Sequence, residues 1–152
     1  MRMKKTLTFA DQINRRRWWH SPPSDKKAYK KRGMFLASSF KECEFYGRPL
    51  DEPIRVNVSN PLVDTEQNII KSLFGYSSSQ MMAYTALIKN AEKDPLRVRF
   101  KLDADLFKTA KSKNYDAIAV VTEKGFEKTK NHKLPRSVEL NLIDIKNGIC
   151  VS

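Results

Sequence analysis

Two glycines bracket the stretch GMFLASSFKECEFYG, Gly33 to Gly47, and the thirteen residues between them leave few folds open. Met34 to Ala37 make a short apolar run of the kind that forms a buried strand. Ser39 stands three positions before Glu42, the reciprocal N-terminal capping pattern, and Phe40, Cys43 and Tyr46 follow at helical spacing with Gly47 as the stop. The stretch therefore predicts a strand that passes directly into a short helix. With five glycines in 152 residues, two spent on one unit mark a place where the backbone needs freedom.

The flanking sequence supplies partners for that unit. Residues 1–14 read as a short helix or a loosely tied arm. Pro22 and Pro23 forbid a continuing helix or a central strand, so RRRWWH reads as a strand ending near His20. SDKKAYKKR predicts a short basic helix capped by Ser24. PIRVNVSNP alternates Ile54, Val56 and Val58 with polar residues, the period of a half-exposed strand. Two helices follow, one capped by Asp64 with Ile69, Ile70, Leu73 and Phe74 on one face and closed by Gly75, the other starting at Ser78 and running through KNAEKD. LRVRFKL reads as another alternating strand, LDADLFKTAKSKN as a helix from about Asp103, and YDAIAVVTE as a buried strand. EKGFEKTKNHKLPR reads as a polar, basic loop that leads into VELNLIDI, the last strand. Helices and strands alternate without a regular βαβ repeat or a Gly-rich phosphate loop, which favours an α+β fold over a doubly wound sheet.

A chain of 152 residues makes one domain and buries about two thirds of its unfolded surface, so it needs no disulfide staples. Cys43 and Cys150 fit neither a metal-ligand spacing nor a disulfide framework, and no metal site is expected. No apolar segment approaches the roughly 20 residues that cross a membrane, and MRMKKTLTF lacks the apolar core of a secretory signal. The expected compartment is the cytoplasm. Net charge is +12, distributed as +9 over residues 1–32, zero over 33–123 and +3 over 124–152. Such a field suits an anionic partner, and a merely solvated, solubilising face accounts for it equally well.

Three separated pieces then align: the strand ending in His20, the unit from Gly33 to Tyr46, and a last strand opening with Glu139. Together they resemble the ADP-ribosyltransferase family of the diphtheria-toxin and poly(ADP-ribose) polymerase type, over roughly residues 15–150. The resemblance implies a split β-sandwich with flanking helices that binds NAD as co-substrate. His20 matches the histidine that contacts the NAD ribose, Phe35 falls where the family often has its first tyrosine, and Tyr46 falls on the tyrosine that stacks on nicotinamide. Glu139 matches the catalytic glutamate. Gly33, Ser21 and Ser38 complete the implied cofactor-binding set, with Gly33 letting the backbone run close under the nicotinamide. The chain departs from the family pattern at Ser21, where a glycine is usual, and at Phe35, which lacks a hydroxyl. These departures argue against polymer elongation.

In that family the loop before the glutamate touches the acceptor. Here it carries Lys124, Phe126, Lys128, Lys130, Lys133 and Arg136. The implied activity is mono-ADP-ribosyl transfer to an anionic macromolecular acceptor, a nucleic acid, a ribonucleoprotein or an acidic protein, and a small basic transferase suits a phage or mobile-element effector inside a bacterium. The alternative is a basic inhibitor that binds nucleic acid or ribonucleoprotein without catalysis, on a degenerate version of the fold. Without the resemblance, His20 reads as structural, Tyr46 as a core residue and Glu139 as a charge facing solvent at a strand edge.

Overall fold

The order of secondary structure in the computed structural model, which describes residues 7–89 and 95–150, is helix α1 (Phe9–Arg15), strand β1 (Trp19–His20), α2 (Ala28–Arg32), β2 (Met34–Ala37), α3 (Phe40–Cys43), β3 (Pro61–Thr65), α4 (Glu66–Phe74), α5 (Ser78–Lys89), α6 (Pro95–Ser112), β4 (Ala117–Val121), α7 (Glu123–Thr129), β5 (Glu139–Leu142) and α8 (Ile145–Gly148). Residues 1–6 of the expected arm and 90–94 of the expected second helix lie outside the described residues.

Among the described residues the strands form one open, mixed five-stranded sheet in the order β1-β2-β5-β4-β3, where a split sandwich was expected. Only β3 and β4 run parallel. Parallel neighbours need a long crossover, and helices α4 to α6 supply it. The mixed helix and strand content expected from the sequence is present, with helices on both sides of the sheet. One face packs Leu36, Leu140, Leu142 and Ala119 against Ile13 of α1, Trp18 and the extended segment containing Val56 and Val58. The opposite face packs Ile118 against Ile69 and Leu73 of α4 and Leu102, Leu106 and Phe107 of α6. β4 is covered on both faces, which is why AIAVV reads as a continuous apolar run.

Several expectations are corrected. LRVRFKL is not a strand; it forms the first turns of α6, with Pro95 at the first helical position, where a missing N–H costs nothing. Its alternation does not reflect half-burial, because Leu96 and Phe100 are both exposed while the i, i+4 series Leu102, Leu106, Ala110 is buried. PIRVNVSNP keeps its alternating burial but pairs only by isolated bridges, Trp18 with Ile54 and Val56 with Ile149. Asp64 is not the cap of α4: it lies inside β3, a strand that has no alternating pattern, and Thr65 caps the helix by accepting from the Asn68 N–H. Ser24 does not cap α2, which starts after Lys27 without a side-chain cap. The expected loop over 123–136 contains α7, capped by Thr122. Ser39 caps α3 as expected, whereas the Glu42 carboxylate accepts instead from Ser137 Oγ at 3.0 Å.

Candidate functional site

The strand-to-helix unit is built as its sequence indicates. β2 lies between β1 and β5, with Ala37 opposite both Trp19 and Glu139. α3 continues into a 3-10 turn over Glu44–Tyr46 that ends at Gly47. This turn carries Tyr46 back over β2, where its ring stacks on Phe35 at a centroid distance of 6.0 Å and an interplanar angle of 19°. A third planar ring needs about 7 Å between its neighbours, twice an ordinary carbon contact of about 3.5 Å. The 6.0 Å between ring centres includes any sideways offset, so the gap between the planes is at most that, and the two rings must part to admit one.

Glu139, the first residue of β5, borders a cleft of about 440 Å³ with Tyr46, Phe45, Glu42, Glu66 and Thr122 among its lining. Its carboxylate faces the Tyr46 hydroxyl. Burial, then the charge of Glu139 and a hydrogen bond to it, raise the phenol far above its ordinary value. Arg99 of α6 pairs with Asp103 at 3.1 Å and with Glu66. Burial opposes the Arg99 charge, but Asp103, Glu66 and Glu139 outweigh burial and hold the guanidinium above its usual range. Burial also lifts Asp103 to about 6 against the pull of Arg99, with Glu139 and Glu66 adding to the rise. One cation thus sits among three carboxylates, of which the candidate catalytic glutamate is one.

His20 is placed differently. The register puts it opposite Leu36, in the row of Leu140, which faces the core around Trp18, whereas the adjoining row of Trp19, Ala37 and Glu139 faces the other side of the sheet, so the structure does not bring His20 and Glu139 together. It is 4% exposed, and its Nδ1 lies 2.8 Å from the Phe35 carbonyl and its Nε2 2.8 Å from the Tyr29 hydroxyl. A carbonyl only accepts, so a neutral ring carries its proton on Nδ1 and accepts from Tyr29 at Nε2. Burial lowers the His20 pKa, with the Phe35 hydrogen bond opposing, so the neutral form is favoured.

The remaining cofactor candidates have structural partners. Ser21 Oγ lies within donating distance of the Cys43 and Gly47 carbonyls, at 3.1 and 3.0 Å, and pins the turn that bears Tyr46. Ser38 Oγ donates to the Val138 carbonyl and accepts from the Val138 N–H, extending the β2–β5 ladder beyond Glu139. Gly33 has φ +84°, and a Cβ there would lie 2.2 Å from Asn141 Oδ1 and 2.7 Å from the Leu142 carbonyl. The glycine thus makes room for β5.

Of the expected acceptor loop, Lys124 and Lys128 are exposed on α7, but Phe126 packs against the core and Lys130 pairs with Glu127 at 3.1 Å. Lys133 is exposed. Lys128 and Arg136 join Arg16 and Arg17 around a second hollow of about 530 Å³. Sequence reading missed Arg99, Asp103 and Glu66. The i, i+4 pair of Arg99 and Asp103 signals itself only once residues 96–102 are recognised as helix. Among the described residues no group of three His, Cys, Asp or Glu side chains is arranged to hold a metal ion, and no described helix is long and apolar enough to cross a membrane. No protein-family model matches the chain, and no curated protein or solved structure matches it.

Proposed function

We propose that the protein is an NAD-dependent mono-ADP-ribosyltransferase built on an ADP-ribosyltransferase-like arrangement of β1, β2 and β5. The observation that carries this reading is the position of Glu139 at the start of a central strand, on a cleft whose wall is Tyr46 stacked on Phe35. The nicotinamide ring would enter the slot between Phe35 and Tyr46. The bond from nicotinamide to the ribose C1″ then breaks, its electron pair leaves with neutral nicotinamide, and Glu139 stabilises the cationic ribose by its negative charge. A lone pair of the acceptor closes the new bond to C1″ and the acceptor's proton passes to solvent. Tyr46 holds the carboxylate of Glu139 from one side. His20 backs β2 from the other face of the sheet, with its Nε2 2.8 Å from the Tyr29 hydroxyl.

A second reading draws on that last contact. Because both ring nitrogens of His20 already have partners, a non-catalytic basic binding protein also fits. Incubation with labelled NAD, target and cell extract separates the two. The transferase predicts a labelled macromolecule and loss of label in Glu139→Gln by at least about a hundredfold, the scale for removing one electrostatic stabiliser. Nicotinamide release without a labelled macromolecule would reduce the activity to NAD hydrolysis. No label and no release, with inhibition of the target unchanged in Glu139→Gln, would establish the binding protein.

A further inference from the structure

The second hollow lies at the same end of the sheet as Glu139. It is lined by Arg16, Arg17, Ser38, Lys128, Leu134 and Arg136, drawn from three separate segments. Ser38 follows Ala37, which pairs with Glu139, so the hollow and the cleft share one rim. None of the four cations forms an ion pair among the described residues. Arg16 donates to the Pro135 and Leu134 carbonyls at 2.7 and 3.1 Å, which fixes its fork while leaving its charge without a counterion. Burial lowers the Arg16 pKa, so an anion in the hollow would relieve a real cost. Three arginines in one hollow suit phosphate, because each guanidinium presents paired donors that match its oxygens.

The cleft has the opposite sign. Glu42, Glu66 and Glu139 line it, so an acceptor carboxylate entering there would meet like charge. A partner must therefore place anions on the rim and an uncharged nucleophile inside. Phe45, 88% exposed, stands at the cleft and offers a flat face. A basic groove beside exposed aromatics is the arrangement that holds single-stranded nucleic acid. We infer that the acceptor is a single-stranded polynucleotide, its phosphates held by Arg16, Arg17, Lys128 and Arg136 while one base reaches the cleft. Naming it as acceptor rests on the transferase reading; the docking itself does not. A neutral base nitrogen would attack C1″, nicotinamide would leave with the bonding pair, and the nitrogen's proton would go to solvent.

The test is fluorescence anisotropy with a labelled single-stranded DNA of about 20 nucleotides, long enough for one binding site, titrated over a range of salt without NAD. Arg17→Gln/Lys128→Gln/Arg136→Gln changes three exposed side chains that make no hydrogen bond among the described residues. It should lower the magnitude of the log K against log salt slope by about 2, at roughly 0.7 per phosphate contact on a single strand. Lys26→Gln/Lys27→Gln/Lys30→Gln, at the opposite end of β2, should leave the slope near wild type. Should the first triple variant unfold, Arg136→Gln alone decides, with an expected decrease of about 0.7. An unchanged slope in the hollow variant, an equal loss in the α2 variant, or equal competition by polyglutamate of matched length overturns the inference. With labelled NAD added, label on the DNA supports it. Label on protein alone defeats the acceptor assignment while leaving the transferase intact. DNA binding through the hollow with no label or nicotinamide release anywhere defeats the transferase and leaves the docking.

Discussion

At the scale of single residues, the Tyr46 hydroxyl and the Gly33 hydrogen serve different ends and should respond differently to substitution. Tyr46→Phe keeps the ring over Phe35 and removes the hydroxyl facing Glu139. A hydrogen bond to a charged group contributes about 1.5 to 3 kcal/mol, so the rate of label transfer should fall about 10- to 100-fold with little change in KM for NAD. Tyr46→Ala should raise KM as well. Gly33→Ala should destabilise the fold by about 2 kcal/mol in urea unfolding, because a methyl group there collides with Asn141 and the Leu142 carbonyl at a left-handed backbone position. The sequence makes these two residues visible by spacing alone. It hides the partners, since Tyr29 on His20 and Asn141 against Gly33 are contacts between segments that no local pattern links.

At the scale of elements, α4 and α6 pack through Ile69, Leu73, Leu102 and Leu106, and the ion pairs of Arg99 add an electrostatic tie to that contact. Arg99→Met leaves Glu66, Asp103 and Glu139 without their shared cation; with the pairs partly exposed, the loss should be about 2 kcal/mol in chemical denaturation, and the added Asp103→Asn should restore part of it. Asp103 also sets a pH dependence. Its folded pKa of about 6 lies above the unfolded value of 3.8, so between these pH values the folded state holds the proton that the unfolded state has released. Its contribution is present below about pH 4 and is lost as pH rises through about 6. Denaturation midpoints measured across that window should show this fall, and Asp103→Asn should flatten it. The same helix explains what the sequence concealed. A run such as LRVRFKL satisfies a two-residue period by composition, and only packing against α4 and β4 selects the helix. β2 and β4 are legible because their apolar runs lie inside the sheet, and β5 because ELNL alternates, whereas β3 begins at a proline on the sheet edge and lacks any alternation.

At the scale of the whole molecule, two cores share one sheet. Trp18 lies wholly inside one of them, and Tyr84 packs against the other. Strand β4 contributes to both layers, and Ile143 directly after β5 joins the second, so neither core can be lost without exposing the back of the other. Thermal unfolding followed by tryptophan fluorescence and by far-ultraviolet dichroism should therefore give coincident transitions. The charge asymmetry was legible from composition, but its fine structure was not: an acid-lined cleft beside a hollow lined by arginines arises only when residues 16–17, 42, 66, 128 and 136–139 meet at one end of the sheet.

The two thiols differ in a way that can be exploited. Cys43 is 1% exposed beneath the Ser21 hydroxyl and burial raises its pKa, while Cys150 is exposed and donates its backbone N–H to the Arg55 carbonyl. A maleimide dye should therefore alkylate a single position in the native protein and a second one only after denaturation. The unmodified chain thus already carries a one-site handle, and delayed attachment at the inner sulfur would report how often the turn bearing the cleft tyrosine opens.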